Sequence, residues 1–299
     1  MNYRRLGNSG LLVSELSLGL WHNFGDNDCY QTARDIITTA FDNGITLFDL
    51  ANNYGPPPGS AEITFGKVLK SELKNHRNKM LITSKAGHTM WEGPYGDFGS
   101  RKHLIASCDE SLKRVGVDYF DIFYHHRPDP ETPLLETVNA LAHIVNSGRA
   151  LYIGLSKYPP HLLAQATQML RDRNVPVVVH QLKYSLINRE PENELFALHK
   201  EMELGCVSFS PLAGGQLTDR YAGGNIPADS RAAKSDFLKP TEVQKNLPLV
   251  QKLAAQAKQQ GLSLAEYALR WQLENNNISS VIVGASSTKQ LLQNLHSIK

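Results

Sequence analysis

One pattern repeats along most of the 299 residues: a short apolar run, a loop, then a segment with helical spacing. The apolar runs fall at 16–20, 45–49, 80–84, 119–124, 150–155, 176–181, 206–210 and 280–283. Helical spacing follows at 31–43, about 60–73, about 102–115, 134–147, 161–173, about 194–203 and 289–296, and Gly44 is a stop signal for the first of these. Eight such units predict a (β/α)8 barrel, which a chain of this length fills as one domain over residues 1–299. Ahead of them, Arg4-Arg5-Leu6 and Leu11-Leu12-Val13 flank Gly7-Asn8-Ser9-Gly10, the signature of a short β-hairpin. A doubly wound sheet is the competing architecture. It requires a glycine-rich phosphate loop after the first strand, and Gly19-Leu20-Trp21-His22-Asn23-Phe24-Gly25 does not have that spacing.

The unit after the seventh strand is enlarged. Residues 213–240 are rich in Gly, Ala and Asp, and helical stretches follow at 241–260 and 263–274. A loop of that length in a barrel is expected to act as a lid, because barrel chemistry sits on the βα loops.

Charge and cysteine content remove several function classes. Basic and acidic residues number 31 and 29, with no basic block, so nucleic acid is not an expected partner. Cys29, Cys108 and Cys206 lack CxxC spacing, which argues against a disulfide framework or a zinc site and fits a reducing cytosol. No run approaches the roughly 18 apolar residues of a membrane span. The expectation is a cytoplasmic protein with no membrane partner.

Ionisable groups collect at the ends of strands two to four. Asp49 ends the second strand, with Tyr54 in the loop beyond it; Lys85 follows the third, and His125 and His126 follow the fourth. Any one of them is explained as an ordinary strand-end charge. Together they form a set that can supply a proton to a carbonyl: a phenol, an ammonium beside it to lower its pKa, a carboxylate to hold the ammonium, and an imidazole to orient the oxygen. No side chain donates hydride, so such a reduction needs a nicotinamide cofactor. A metal-dependent barrel hydrolase lacks an HxH motif or a carboxylate cluster at these strand ends.

The same segments resemble the aldo-keto reductases over essentially the whole chain. The matching pieces are Leu47-Phe48-Asp49-Leu50-Ala51-Asn52-Asn53-Tyr54-Gly55, Thr83-Ser84-Lys85, the run from Asp121 through His126 to Asp129, Gly154-Leu155-Ser156 and Ser210-Pro211-Leu212-Ala213-Gly214-Gly215. The 19–25 segment and Asn53-Tyr54-Gly55-Pro56-Pro57-Pro58-Gly59-Ser60-Ala61-Glu62 are similar to the group of bacterial L-glyceraldehyde 3-phosphate reductases, a branch that includes potassium channel β subunits.

The resemblance implies a catalytic tetrad of Asp49, Tyr54, Lys85 and His126, with His125 a packed neighbour, and NADP(H) as cofactor. It places Ser156, Gln181 and Phe209 around the nicotinamide, and Ser210, Leu212, Gly214, Gln216, Arg220 and Arg231 along the pyrophosphate, with Trp21 and Asp49 as further cofactor contacts. Ser286, Gln290, Gln293 and Asn294 fall at the adenosine end. Many members carry an arginine where Gln290 stands, to grip the 2′-phosphate; the channel-β branch also lacks it and uses NADP(H). Trp21, Tyr54, Trp91 and His126 are the expected substrate contacts, with Arg127 near the mouth as a phosphate contact or a surface pair. The implied substrates are small-molecule carbonyls, L-glyceraldehyde 3-phosphate or methylglyoxal among them. By analogy the chain forms a homo-oligomer, a tetramer or larger. The alternative reading is a cofactor-sensing binding subunit like the channel β proteins. The family continues past its last barrel helix with a segment that walls the substrate site, whereas this sequence ends at Lys299, so that wall is not legible here.

Overall fold

The computed structural model describes residues 1–228, 230–234 and 237–297. Residues 229, 235 and 236 of the expected lid, and the last two residues of the chain, lie outside the described residues. The described residues form ten strands: β1 (Tyr3–Arg5), β2 (Leu12–Ser14), β3 (Leu16–Gly19), β4 (Leu47–Asp49), β5 (Leu81–Ala86), β6 (Phe120–His125), β7 (Ala150–Ser156), β8 (Val177–Lys183), β9 (Gly205–Phe209) and β10 (Ser280–Val283). β1 and β2 form the antiparallel hairpin. The other eight close into a parallel barrel in chain order, with β10 hydrogen-bonded to both β3 and β9. The (β/α)8 expectation therefore describes the chain.

Alternation along the strands explains the layering. Leu47, Ile122, Tyr124, Val179, Val207 and Ile282 meet inside the barrel, and Leu6 and Val13 from the hairpin join them. Phe48, Ile82 and Phe123 point the other way and pack beneath the helices. The hairpin thus seals the barrel end from which the strands begin. Gly7 is required there: its φ is +58°, and a Cβ would come within 2.5 Å of the Gly205 nitrogen.

The helices form where apolar spacing and caps agree. In Tyr30–Asp42 the buried residues are Ala33, Ile36, Ile37 and Ala40, one stripe at helical spacing. The helix Arg101–Val115 starts at Ser100, whose hydroxyl accepts from the His103 N–H, and stops at Gly116 with φ of 75°. Each fully buried Leu, Ile or Phe of this layer contributes about 1.5–3 kcal/mol of transfer free energy.

Strand ends differ from the sequence expectation by a residue or two. Lys85 lies inside β5 rather than after it, and His125 is the last residue of β6. The enlarged unit after β9 is more ordered than a plain loop. It contains short helices at Asp219–Ala222 and Arg231–Lys234, followed by helices at Pro240–Gln259 and Leu264–Leu273. Two small apolar clusters hold it. One contains Leu217, Val250, Leu253, Leu264 and Ala268, and the other Tyr221, Ala232, Leu238 and Val243. Among the described residues no helix is long and apolar enough to cross a membrane.

Candidate active site

The strand ends opposite the hairpin open into a cleft of about 810 Å³. Its floor is an ion pair. Lys85 is fully buried, and Asp49 is 2% exposed. The Lys85 ammonium donates to Asp49 Oδ2 at 2.7 Å, to the Leu50 carbonyl at 2.7 Å and to the Tyr54 hydroxyl at 3.3 Å. The other Asp49 oxygen accepts from Gln181 Nε2 at 2.9 Å and from the Thr83 hydroxyl at 3.2 Å. Every ammonium proton thus has an acceptor, as a buried charge requires. Lys85 Nζ also sits 4.9 Å from the Tyr54 ring centre.

The chain brings Tyr54 here through the loop that leaves β4. The Asn52 N–H donates to the Lys85 carbonyl, and the Tyr54 carbonyl accepts from the N–H groups of Gly59 and Ala61. His126 enters from β6 and meets the Tyr54 ring edge-on at 5.9 Å. His125 points the opposite way, buried, with Nδ1 2.6 Å from the Tyr158 hydroxyl. The structure therefore brings Asp49, Tyr54, Lys85 and His126 together and separates His125 from them.

The electrostatics differ from the expectation in one respect. Lys85 was expected to pull the Tyr54 pKa down. In the free protein burial pushes it well above the usual phenol value, and the Asp49 carboxylate and Tyr124 push the same way. Burial also lowers Lys85, opposed by Asp49. His126 is driven well below the ordinary imidazole value, first by burial and then by Lys85 and Lys157. At neutral pH the cleft therefore presents a protonated phenol and a neutral imidazole.

Around this centre, the cleft is lined by Trp21, Gln181, Phe209, Ser210, Leu212, Gly214, Arg220, Arg231, Ser286 and Gln290. Ser156 is fully buried with a hydroxyl that has no partner, and Asn294 is buried with an unpartnered Nδ2. Such orphaned groups are costly unless a ligand satisfies them. After β9 the backbone turns left-handed at Ser210, Ala213, Gly214 and Gly215, with φ of 56°, 48°, 71° and 100°. Conformations of this kind point successive N–H groups into concavities that suit phosphate. The Arg231 guanidinium lies 5.9 Å from the Trp21 ring centre. These features fit a dinucleotide laid from Ser156 across the loop to Asn294.

Other expected contacts are placed elsewhere. Trp91 packs at a tilt against His103, ring centres 5.1 Å apart, and is not among the residues lining the cleft. The Gln216 side chain is committed inside its own loop, donating to the Ala213 carbonyl and accepting from Asn246, so it is a brace rather than a phosphate contact. Gln290 does line the cleft, with its side-chain oxygen accepting from both the N–H and the hydroxyl of Ser286. Gln293 is exposed and outside the lining. Arg127 makes two bonds to Asp97, of 2.7 and 2.8 Å, which settles it as a surface pair.

Sequence reasoning missed His22, His88, Lys157 and Phe237, all of which line the cleft. His22 stacks on Trp21 at 4.0 Å, and Phe237 meets Trp21 edge-on at 4.6 Å. Lys157 had a signal, since it directly follows Ser156 at a strand end. Phe237 had none.

A closed parallel barrel with this buried quartet at its mouth is the arrangement expected of an aldo-keto reductase, and comparison with known proteins agrees. The chain belongs to the aldo/keto reductase family, whose model matches residues 15–299. It is 47% identical over its full length to an L-glyceraldehyde 3-phosphate reductase of Escherichia coli (strain K12), covering 88% of that protein. It is also 36% identical over its full length to a probable voltage-gated potassium channel subunit beta of Oryza sativa subsp. japonica, covering 91% of it.

Proposed function

We propose that the chain works as a single unit that reduces small aldehydes or ketones to alcohols with NADP(H). L-glyceraldehyde 3-phosphate is the first substrate to test and methylglyoxal the second. The observation that carries this reading is the 3.3 Å contact between the Lys85 ammonium and the Tyr54 hydroxyl at the bottom of the cleft. The nicotinamide, when bound, supplies the hydride.

The protein's own residues manage the oxygen and the proton. Neutral His126 donates to the carbonyl oxygen and fixes its direction. Tyr54, kept protonated by burial, gives its proton to that oxygen as it becomes an alkoxide. Lys85 stabilises the phenolate left behind, and Asp49 holds Lys85 charged and aimed. Ser156 and Gln181 would hold the carboxamide, and Phe209 would form a platform for the ring. Arg220 and Arg231 would face the phosphates, with Ser286 and Asn294 at the adenosine end.

Tyr54→Phe tests the assignment. It should fold, bind NADPH and lose about 10²–10⁴-fold in kcat. A full rate on aldehydes from this variant would refute the role. Parallel titrations with NADPH and NADH test the cofactor; tighter NADH binding would reverse that choice. The rival reading, a cofactor-sensing binding subunit, draws on the 36% identical relative. It predicts slow turnover on every aldehyde tried, whereas the Tyr54–His126 pair at the cleft favours an enzyme. Assembly into a tetramer or larger ring, inferred by analogy, is checked by light scattering.

A further inference from the structure

Two basic groups that the proton transfer does not use face each other at the cleft. Lys157 directly follows β7, and His88 follows β5 by two residues. Lys157 Nζ lies 3.2 Å from His88 Nε2 and 5.7 Å from the centre of the Phe209 ring. The His88 ring meets His126 edge-on at 4.4 Å, and His126 stands 5.9 Å from Tyr54. Both groups are therefore neighbours of the carbonyl position. Lys157 also holds a left-handed backbone, φ 59°, the kind of local strain that collects at ligand sites.

The charge balance around them is uneven. Lys85 is neutralised by Asp49, and Arg127 by Asp97. Lys157 has no carboxylate partner among the described residues; its polar partner is the His88 lone pair. Burial, then Lys85 and Arg127, bring Lys157 down from the ordinary 10.5 to about 8. Burial, Lys157 and Arg127, opposed by Asp97, bring His88 to about 4. A cation with an imidazole rather than a carboxylate for company is the arrangement that an incoming anion relieves. The ring contacts that run from Tyr54 through His126 to His88 mean that an anion held by this pair, with the carbonyl at Tyr54, belongs to a short molecule. From a carbonyl oxygen through three carbons to an ester phosphorus is five bonds, about 6 Å extended at ~1.5 Å per bond with bent angles.

We propose that His88 and Lys157 bind the anionic end of the substrate: the phosphate of a short phosphorylated aldehyde whose carbonyl is held by Tyr54 and His126. This rests on the reductase reading and names the residues that choose its substrate class. With the anion in place, the Lys157 ammonium turns from His88 to a phosphate oxygen. The freed His88 Nε2 then takes a proton from solvent and donates to a second oxygen.

Lys157→Met keeps the chain length and removes the charge; His88→Phe keeps the ring and removes both nitrogens. Each variant is assayed with glyceraldehyde 3-phosphate and with glyceraldehyde, and NADPH affinity is followed by tryptophan fluorescence. For the phosphorylated aldehyde kcat/KM should fall about 10- to 100-fold, the loss of one charge-assisted hydrogen bond. For glyceraldehyde it should change little, and NADPH affinity should hold. Inorganic phosphate should compete with the phosphorylated aldehyde in the unsubstituted protein and lose that effect in both variants. Equal losses on the two aldehydes, or weakened NADPH binding, would overturn the subsite. So would a split that appears with Arg231→Met instead. If the unsubstituted protein reduces neither aldehyde, the reductase reading fails on its own. Calorimetry with glycerol 3-phosphate then decides the subsite: binding abolished by Lys157→Met supports it, and binding unchanged by that substitution refutes it.

Discussion

Replacing Lys85 by Met probes the floor of the cleft most directly. The side chain fits a similar volume, so packing is roughly kept while the ammonium is lost. Three bonds disappear with it: those to Asp49, the Leu50 carbonyl and Tyr54. Asp49 is left buried with two neutral donors, Gln181 and Thr83. Breaking one side of a buried pair costs about 3–5 kcal/mol, because the remaining charge is uncompensated. Removing the second charge as well, with Asp49→Asn, should recover a large part of that loss. An amide in place of the carboxylate no longer needs a counter-ion, and charge-free replacements of buried pairs are often close to neutral in stability. The assay is equilibrium urea unfolding of the parent, the two single variants and the double variant, read as a double-mutant cycle. A coupling of about 1 kcal/mol or more is expected for groups in direct contact. If the double variant is no more stable than Lys85→Met alone, the ion pair is not what makes the single substitution costly, and the electrostatic account of the floor fails. Both Lys85 variants should also lose reductase activity, since neither leaves a cation beside the phenol.

Other outcomes follow from particular contacts. Gly154→Ala would place a Cβ 2.2 Å from the ring of fully buried Tyr124, which itself lies 5.7 Å from Lys85 Nζ. Overpacking of this kind should cost about 1–3 kcal/mol in urea unfolding and lower kcat at unchanged NADPH affinity. Phe237→Ala removes the edge contact on Trp21 and should speed NADP release in stopped-flow fluorescence, with thermal stability unchanged because the ring is 66% exposed. Lys157 carries its charge only below about pH 8, so KM for a phosphorylated aldehyde should rise as pH passes 8, with no such inflection for glyceraldehyde. The sign for stability is opposite: the charged form burdens the fold below pH 8, and that burden lifts as pH climbs towards 10.5.

The barrel and the grouping of ionisable residues at its mouth were legible for physical reasons. Buried parallel strands leave continuous apolar runs such as Val177-Val178-Val179, and a charged residue ending such a run is conspicuous. That is how Asp49, Lys85 and His126 show themselves in one dimension. What was not legible depends on which way a loop turns. His88 and Phe237 sit in segments with no periodicity, and their approach to the cleft is decided by tertiary contacts. Trp91 and Gln216 differ for the complementary reason: their side chains have partners in their own surroundings, a ring contact with His103 and a bracing network, which the sequence does not show. The direction of the Tyr54 shift was also invisible, because a sequence reveals which charges neighbour a phenol but not how dry the space around it is.

The cover built from the segment after β9 has its own apolar anchors, Leu217 with Val250 and Leu253 on one side and Tyr221 with Leu238 and Val243 on the other. Leu269 and Leu273 of the same segment belong to the main core, so only its outer part is anchored apart from the strands beneath. Under the proposed function, substitutions at those outer anchors would change how long a nucleotide stays with little effect on the barrel, so residence time and robustness could be selected apart.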